Sequence, residues 1–139
     1  MGASLERIER HVPGGTLTWE VAGEPPVLRL TVVGDVDGDT VLDAQQEVVA
    51  RGWYRLGLPS LFDIRTFTGN MPWGQIRRLN EIRQAQTPSE QTRVAIITHD
   101  RMFTAFSRLI DATTPRLKVR FYPTLEEGLD WVHPGRRRG

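Results

Sequence analysis

The sequence predicts an α/β domain on a mixed five-stranded sheet with about four helices, and three observations carry that prediction. Short β-branched runs alternate with segments of helical apolar period. The first two strand-like runs are separated only by Gly23-Glu24-Pro25-Pro26, which makes them an antiparallel opening pair. Each later strand is followed by a helical pattern, so these strands are expected to lie parallel, joined by right-handed crossovers.

The elements follow in order. Leu17 to Val21 alternates as a strand, and Val27 to Val33 resumes after the break. Asp35-Val36-Asp37-Gly38-Asp39 has the look of a calcium loop. Thr40 stands where the required glycine would be, however, and Gln46 where the bidentate glutamate would be. A helix start explains the run better, with Asp37 or Asp39 capping the first turn. Val41, Leu42, Ala44, Val48 and Val49 form its apolar stripe and Gly52 stops it. Pro59 to Ile64 is the third strand. Trp73, Ile76, Leu79 and Ile82 mark a second helix ended by Thr87-Pro88. Val94-Ala95-Ile96-Ile97 reads as a strand covered on both faces. Met102, Phe103, Phe106, Leu109, Ile110 and Thr113 share one arc of a third helix, Leu117 to Phe121 is the fifth strand, and Leu125, Leu129 and Val132 line a final helix begun by Pro123-Thr124.

Length and composition limit the functional classes. The chain of 139 residues is long enough to bury a core without staples, and it contains no cysteine, which removes thiolate catalysis, cysteine zinc sites and disulfides. No apolar run resembles a signal peptide core or a membrane span, so a cytoplasmic location is expected. Residues 1–134 read as a single domain and 135–139 as a disordered basic tail. The net charge is +1, and without Arg136, Arg137 and Arg138 it becomes −2. That balance does not suit nucleic acid.

The order of elements, with Val32-Val33-Gly34-Asp35, Leu61-Phe62-Asp63-Ile64-Arg65, Arg93-Val94-Ala95-Ile96-Ile97, Arg120-Phe121-Tyr122 and Leu125 to Trp131, resembles the STAS-like domains. These are related in fold to bacterial anti-sigma-factor antagonists and to the cytoplasmic domains of sulfate transporters. The resemblance spans Leu17 to Val132. It implies the STAS-like fold and a noncatalytic, regulatory, protein-binding role without a cofactor. In the antagonists a regulatory Ser sits in an Asp-Ser turn after the third strand. The matching segment here, Thr66 to Gly69, lacks that pair, so Thr68 is not expected to be an obligatory phosphorylation site.

Candidate functional residues cluster after the third strand. Thr66, Thr68, Gly69 and Asn70 offer hydroxyls and free backbone donors at a strand's C-terminal end, where open α/β sheets hold ligands, and Met71 and Trp73 offer an apolar anchor. Gln45 and Arg83 interrupt apolar helical stripes, so each needs a partner inside the fold or, for Arg83, a route to the edge of its face. Arg65 and His99 complete a set of polar groups near this site, and Asp63 and Arg65 share a strand face and invite pairing. His11, His99 and His133 show no metal-ligand spacing.

Three readings follow. The first is an interaction module that docks a protein through Thr66 to Trp73, with a homodimer compatible. The second is a carrier or sensor for a small apolar or anionic amphipathic ligand, with Met71, Trp73, Met102, Phe103 and Phe106 as walls and Arg65 or Arg83 at the head group. The third, an enzyme using Asp63, His99 and Thr68, lacks any group whose geometry or pKa is matched to proton transfer. The sequence favours the first.

Overall fold

A computed structural model describes residues 7–87, 92–99, 112 and 116–135. Among these residues six strands form one sheet in chain order: β1 (Arg7–Val12), β2 (Gly15–Ala22), β3 (Val27–Gly34), β4 (Ser60–Phe67), β5 (Thr92–Ile97) and β6 (Leu117–Tyr122). The first three are antiparallel neighbours, and β3 to β6 run parallel. The expected mixed sheet with its antiparallel opening pair is present, with Leu17 opposite Val32 and Val21 opposite Leu28.

The sheet has six strands rather than five. The additional strand is β1, half of whose residues are charged. Arg7, Glu9 and His11 face solvent, while Ile8 is buried and Arg10 reaches Glu47 at 2.7 Å. An edge strand of that composition keeps one face wet and discourages edge-to-edge pairing, and the same composition hides it from an apolar count.

Three α-helices are described: α1 (Gly38–Ala50), α2 (Trp73–Gln86) and α3 (Leu125–Val132). The expected helix from Met102 to Thr113, with Phe103 and Phe106, lies outside the described residues, as does the Arg136 to Arg138 tail. Asp37 caps α1 by accepting from the Thr40 backbone N–H at 2.8 Å, and Gly52, at φ 73°, ends it in the left-handed conformation that favours glycine. Thr124 caps α3 by accepting from the Glu127 N–H at 3.2 Å.

Helices α1 and α2 cover one face of the sheet and α3 covers the other over β4 to β6. The alternation along β5 satisfies both layers, since Val94 and Ile96 enter the larger core while Ala95 and Ile97 pack toward α3. Gly128 of α3 packs directly on the sheet, where a Cβ would stand 2.4 Å from Ile97 Cδ1.

Candidate functional site

The β4 strand runs three residues beyond its expected end at Ile64, through Phe67. Its pairing with β3 shifts on the way: Thr31 faces Asp63, but Val33 faces Thr66, so β4 spends one more residue than β3 across that stretch. This is a bulge, and it breaks the strict alternation of side chains. Phe62, Ile64 and Phe67 all line the same cavity, although Phe67 is three residues beyond Ile64.

That cavity, of about 50 Å³, lies between the sheet and the α1/α2 layer. Leu30 and Val32 of β3, Ile96 of β5, Phe121 of β6, Val41 of α1, and Ile76, Leu79 and Asn80 of α2 complete it with Met71 from the β4–α2 loop. Ile64, Phe67, Met71 and Phe121 are only partly buried, so the cavity opens at the C-terminal ends of the parallel strands. This is the end where α/β sheets place ligands.

The loop carrying Met71 is fastened to the sheet. The Thr68 N–H donates to the Gly34 carbonyl at 2.8 Å, and a Cβ on Gly69 would stand 2.4 Å from the Val36 carbonyl oxygen. Gly69 therefore allows the close approach of two loops. Thr66 lies on β4 itself and is exposed, as are Thr68 and Asn70. Trp73 opens α2, is partly buried and packs on the larger core. Of the six residues expected as contacts, Met71 alone lines the cavity.

On the opposite face of the bulge, Asp63 accepts from the Arg65 backbone N–H at 3.2 Å, from Arg65 Nε at 3.0 Å and from Arg65 Nη2 at 2.8 Å, with Arg29 at 3.7 Å. Burial by itself would raise the Asp63 pKa. The Arg65 hydrogen bonds and the charges of Arg65 and Arg29 outweigh burial and hold it below the usual carboxylate range. The carboxylate is ionised and committed to two guanidinium groups. His99 is exposed just beyond the end of β5.

Arg83 does not reach the edge of its helix face. It is buried, donating to Ser60 Oγ and to the Leu58 carbonyl at 2.9 Å, with its guanidinium 4.8 Å from the centre of the Tyr54 ring. Its charge is satisfied by carbonyl, hydroxyl and ring faces instead of water. Burial lowers its pKa to about 10 and raises that of Tyr54 to about 12. Gln45 donates to Tyr54 Oη at 2.8 Å and to the Leu79 carbonyl at 2.9 Å. Both stripe-breaking residues thus meet at Tyr54, which stands in a 3-10 turn (Trp53–Leu56) as a buried core residue. Ser60 begins β4 and Phe67 ends it, so this polar cluster and the cavity mouth are separated by the strand's length, about 20 Å. Neither Arg65 nor Arg83 lines the cavity.

Sequence reasoning missed Tyr54 and Asn80. Asn80 carried a signal equal to that of Arg83, since it is a second polar residue on the inward side of α2, next to Leu79 and four residues after Ile76. Among the described residues there is no group of three or more His, Asp or Glu placed to hold a metal ion, and no helix long and apolar enough to cross a membrane.

No family profile and no curated protein matches the chain. Among solved structures it is similar to the crystal structure of an uncharacterized protein of the DUF3478 family from Shewanella loihica PV-4, described as having a SpoIIAA-like fold. The TM-score is 0.57 at 18% identity, over 86% of this chain and 93% of that one. Likeness at this identity speaks for the fold: the chain has a SpoIIAA-like, that is STAS-like, fold.

Proposed function

We propose that this domain is a noncatalytic sensor: an apolar molecule enters the cavity between the sheet and the α1/α2 layer, and the β4–α2 loop reports its presence to a protein partner. The observation that carries the reading is the double position of Met71, which lines the cavity while belonging to the loop that exposes Thr68 and Asn70. Methionine is unbranched and repacks readily, so a wall built from it yields to a guest at low cost. A guest displacing Met71 moves the exposed surface that a partner reads. The walls supply no basic side chain among the described residues, which favours an apolar ligand over an anionic one.

The test is a titration of isotope-labelled protein with 1-chlorohexane, followed by backbone amide NMR. Shifts concentrated on Leu79, Ile96 and the Thr68 to Trp73 loop are expected, and Ile64→Trp, which fills the cavity from its rim, is expected to abolish them. Unchanged spectra at the solubility limit of the probe would sink the reading.

A further inference from the structure

Asn80 is the one polar residue among the described residues that line the cavity, and its amide is held in one orientation. The residue is buried, at 4% exposure, and its Nδ2 donates to the Ile76 carbonyl one turn earlier at 2.9 Å. Reversing the amide would set two acceptors against each other, so the nitrogen faces the helix backbone and the oxygen faces away from it. Among the described residues the sealed side-chain polar atoms without a partner are Trp19 Nε1, Arg29 Nε, Gln45 Oε1 and Arg83 Nε. Among the described residues no donor reaches Asn80 Oδ1, and the space that Asn80 borders is the cavity.

A carbonyl acceptor in an otherwise apolar wall selects a ligand that can donate. We infer that the cavity is specific for an uncharged apolar molecule bearing a hydroxyl, with the O–H donating to Asn80 Oδ1 and the chain running out past Met71 and Phe121. The inference rests on the sensor reading and adds the ligand's chemical class and the residue that selects it. A carboxylate is excluded twice over, because it would set a second acceptor against Oδ1 and would lie unpaired among apolar walls. The size of the cavity, about 50 Å³, suits the hydroxyl end of a chain rather than a ring, since a cavity known to take benzene measures about 150 Å³.

The experiment compares 1-hexanol, 1-chlorohexane and hexanoate on the labelled protein. Hexanol is expected to bind at least about threefold tighter than chlorohexane, the scale of one net hydrogen bond, and to move the Asn80 side-chain amide signals. Hexanoate is expected to bind more weakly than either. In Asn80→Leu the preference for hexanol over chlorohexane is expected to vanish while chlorohexane binding persists. If that variant does not fold, the Asn80 amide signals of the unaltered protein decide alone. Chlorohexane binding as tightly as hexanol with the Asn80 amide unmoved overturns the hydroxyl assignment and leaves the sensor reading standing. No shift at any cavity residue with all three probes overturns both.

Discussion

Asp63 and Arg65 clasp the bulge of β4 from the face opposite the cavity. The carboxylate of Asp63 takes both the backbone N–H of Arg65 and two of its guanidinium N–H groups, at 3.2, 3.0 and 2.8 Å. A bulge leaves a backbone donor without its ladder partner, and here a side chain two residues earlier supplies the acceptor. The same irregularity turns Phe67 inward beside Ile64. The residue pair therefore supports the cavity without touching it.

Asp63→Asn should lower stability by about 2 kcal/mol, because a neutral amide cannot accept the fork from Arg65 and leaves a buried donor unsatisfied. The pH dependence gives the sign. A carboxylate whose native pKa lies below its unfolded value contributes stability that is present above the unfolded pKa and is lost as pH falls through the native one. The melting temperature difference between parent and Asp63→Asn should be full at pH 6 and shrink steadily below about pH 4. Asp37 and Glu47 are also lowered and titrate in both proteins, so the difference isolates Asp63. A difference that stays constant down to pH 2 would show that the clasp is not ionic.

Arg83→Met should cost about 3 kcal/mol and lower the melting temperature by roughly 10 °C, since it strips the Leu58 carbonyl and Ser60 hydroxyl of their donor inside the core. Arg83→Lys should cost nearly as much, because one ammonium cannot bond two acceptors and also lie flat against Tyr54. Chemical denaturation of both variants checks this, and a loss below about 1 kcal/mol would mean the guanidinium is replaceable.

Gly69→Ala should destabilise by about 1 to 3 kcal/mol, because its Cβ would meet the Val36 backbone and one of the two loops would have to move. Asn70→Ala, one residue away and exposed, should stay within about 0.5 kcal/mol. Equal effects at the two positions would contradict the close approach of these loops.

The fold was legible where the pattern of apolar residues reports burial. The helical stripe from Val41 to Val49 and the continuous apolar run from Val94 to Ile97 placed α1 and β5 because each side chain enters one of the two cores. The pattern failed at β1, where half the side chains are charged and half are exposed, and at the end of β4, where a register shift absorbs a residue without altering composition. Gln45 and Arg83 were visible as breaks in a stripe, but their partner Tyr54 was not, since aromatic residues that follow a helix-ending glycine read as cover for a loop. The cavity had no motif at all. It is a volume left between Met71, the bulged strand and two helices, and Asn80 becomes chemically informative only once its amide is pinned by Ile76.

Trp73 separates support of the fold from contact with a partner. Its ring packs against the larger core yet remains partly exposed at the first residue of α2. A fully buried aromatic truncated to alanine costs about 3 to 5 kcal/mol, so a ring buried on one side should cost about 2 kcal/mol, and the melting temperature should fall by roughly 7 °C. Trp73 does not line the cavity, so Trp73→Ala should bind 1-chlorohexane within about twofold of the parent, reading the test by the same NMR shifts at Leu79 and Ile96. Trp73→Phe should recover most of the stability, because the part of the ring that touches the core is hydrocarbon. A melting temperature unchanged within a degree would place the indole in solvent and make it, with Thr68 and Asn70, an anchor presented to a partner. A large loss of probe affinity would instead mean that the start of α2 controls the cavity mouth, and that the ligand and the partner act on the same turn of helix.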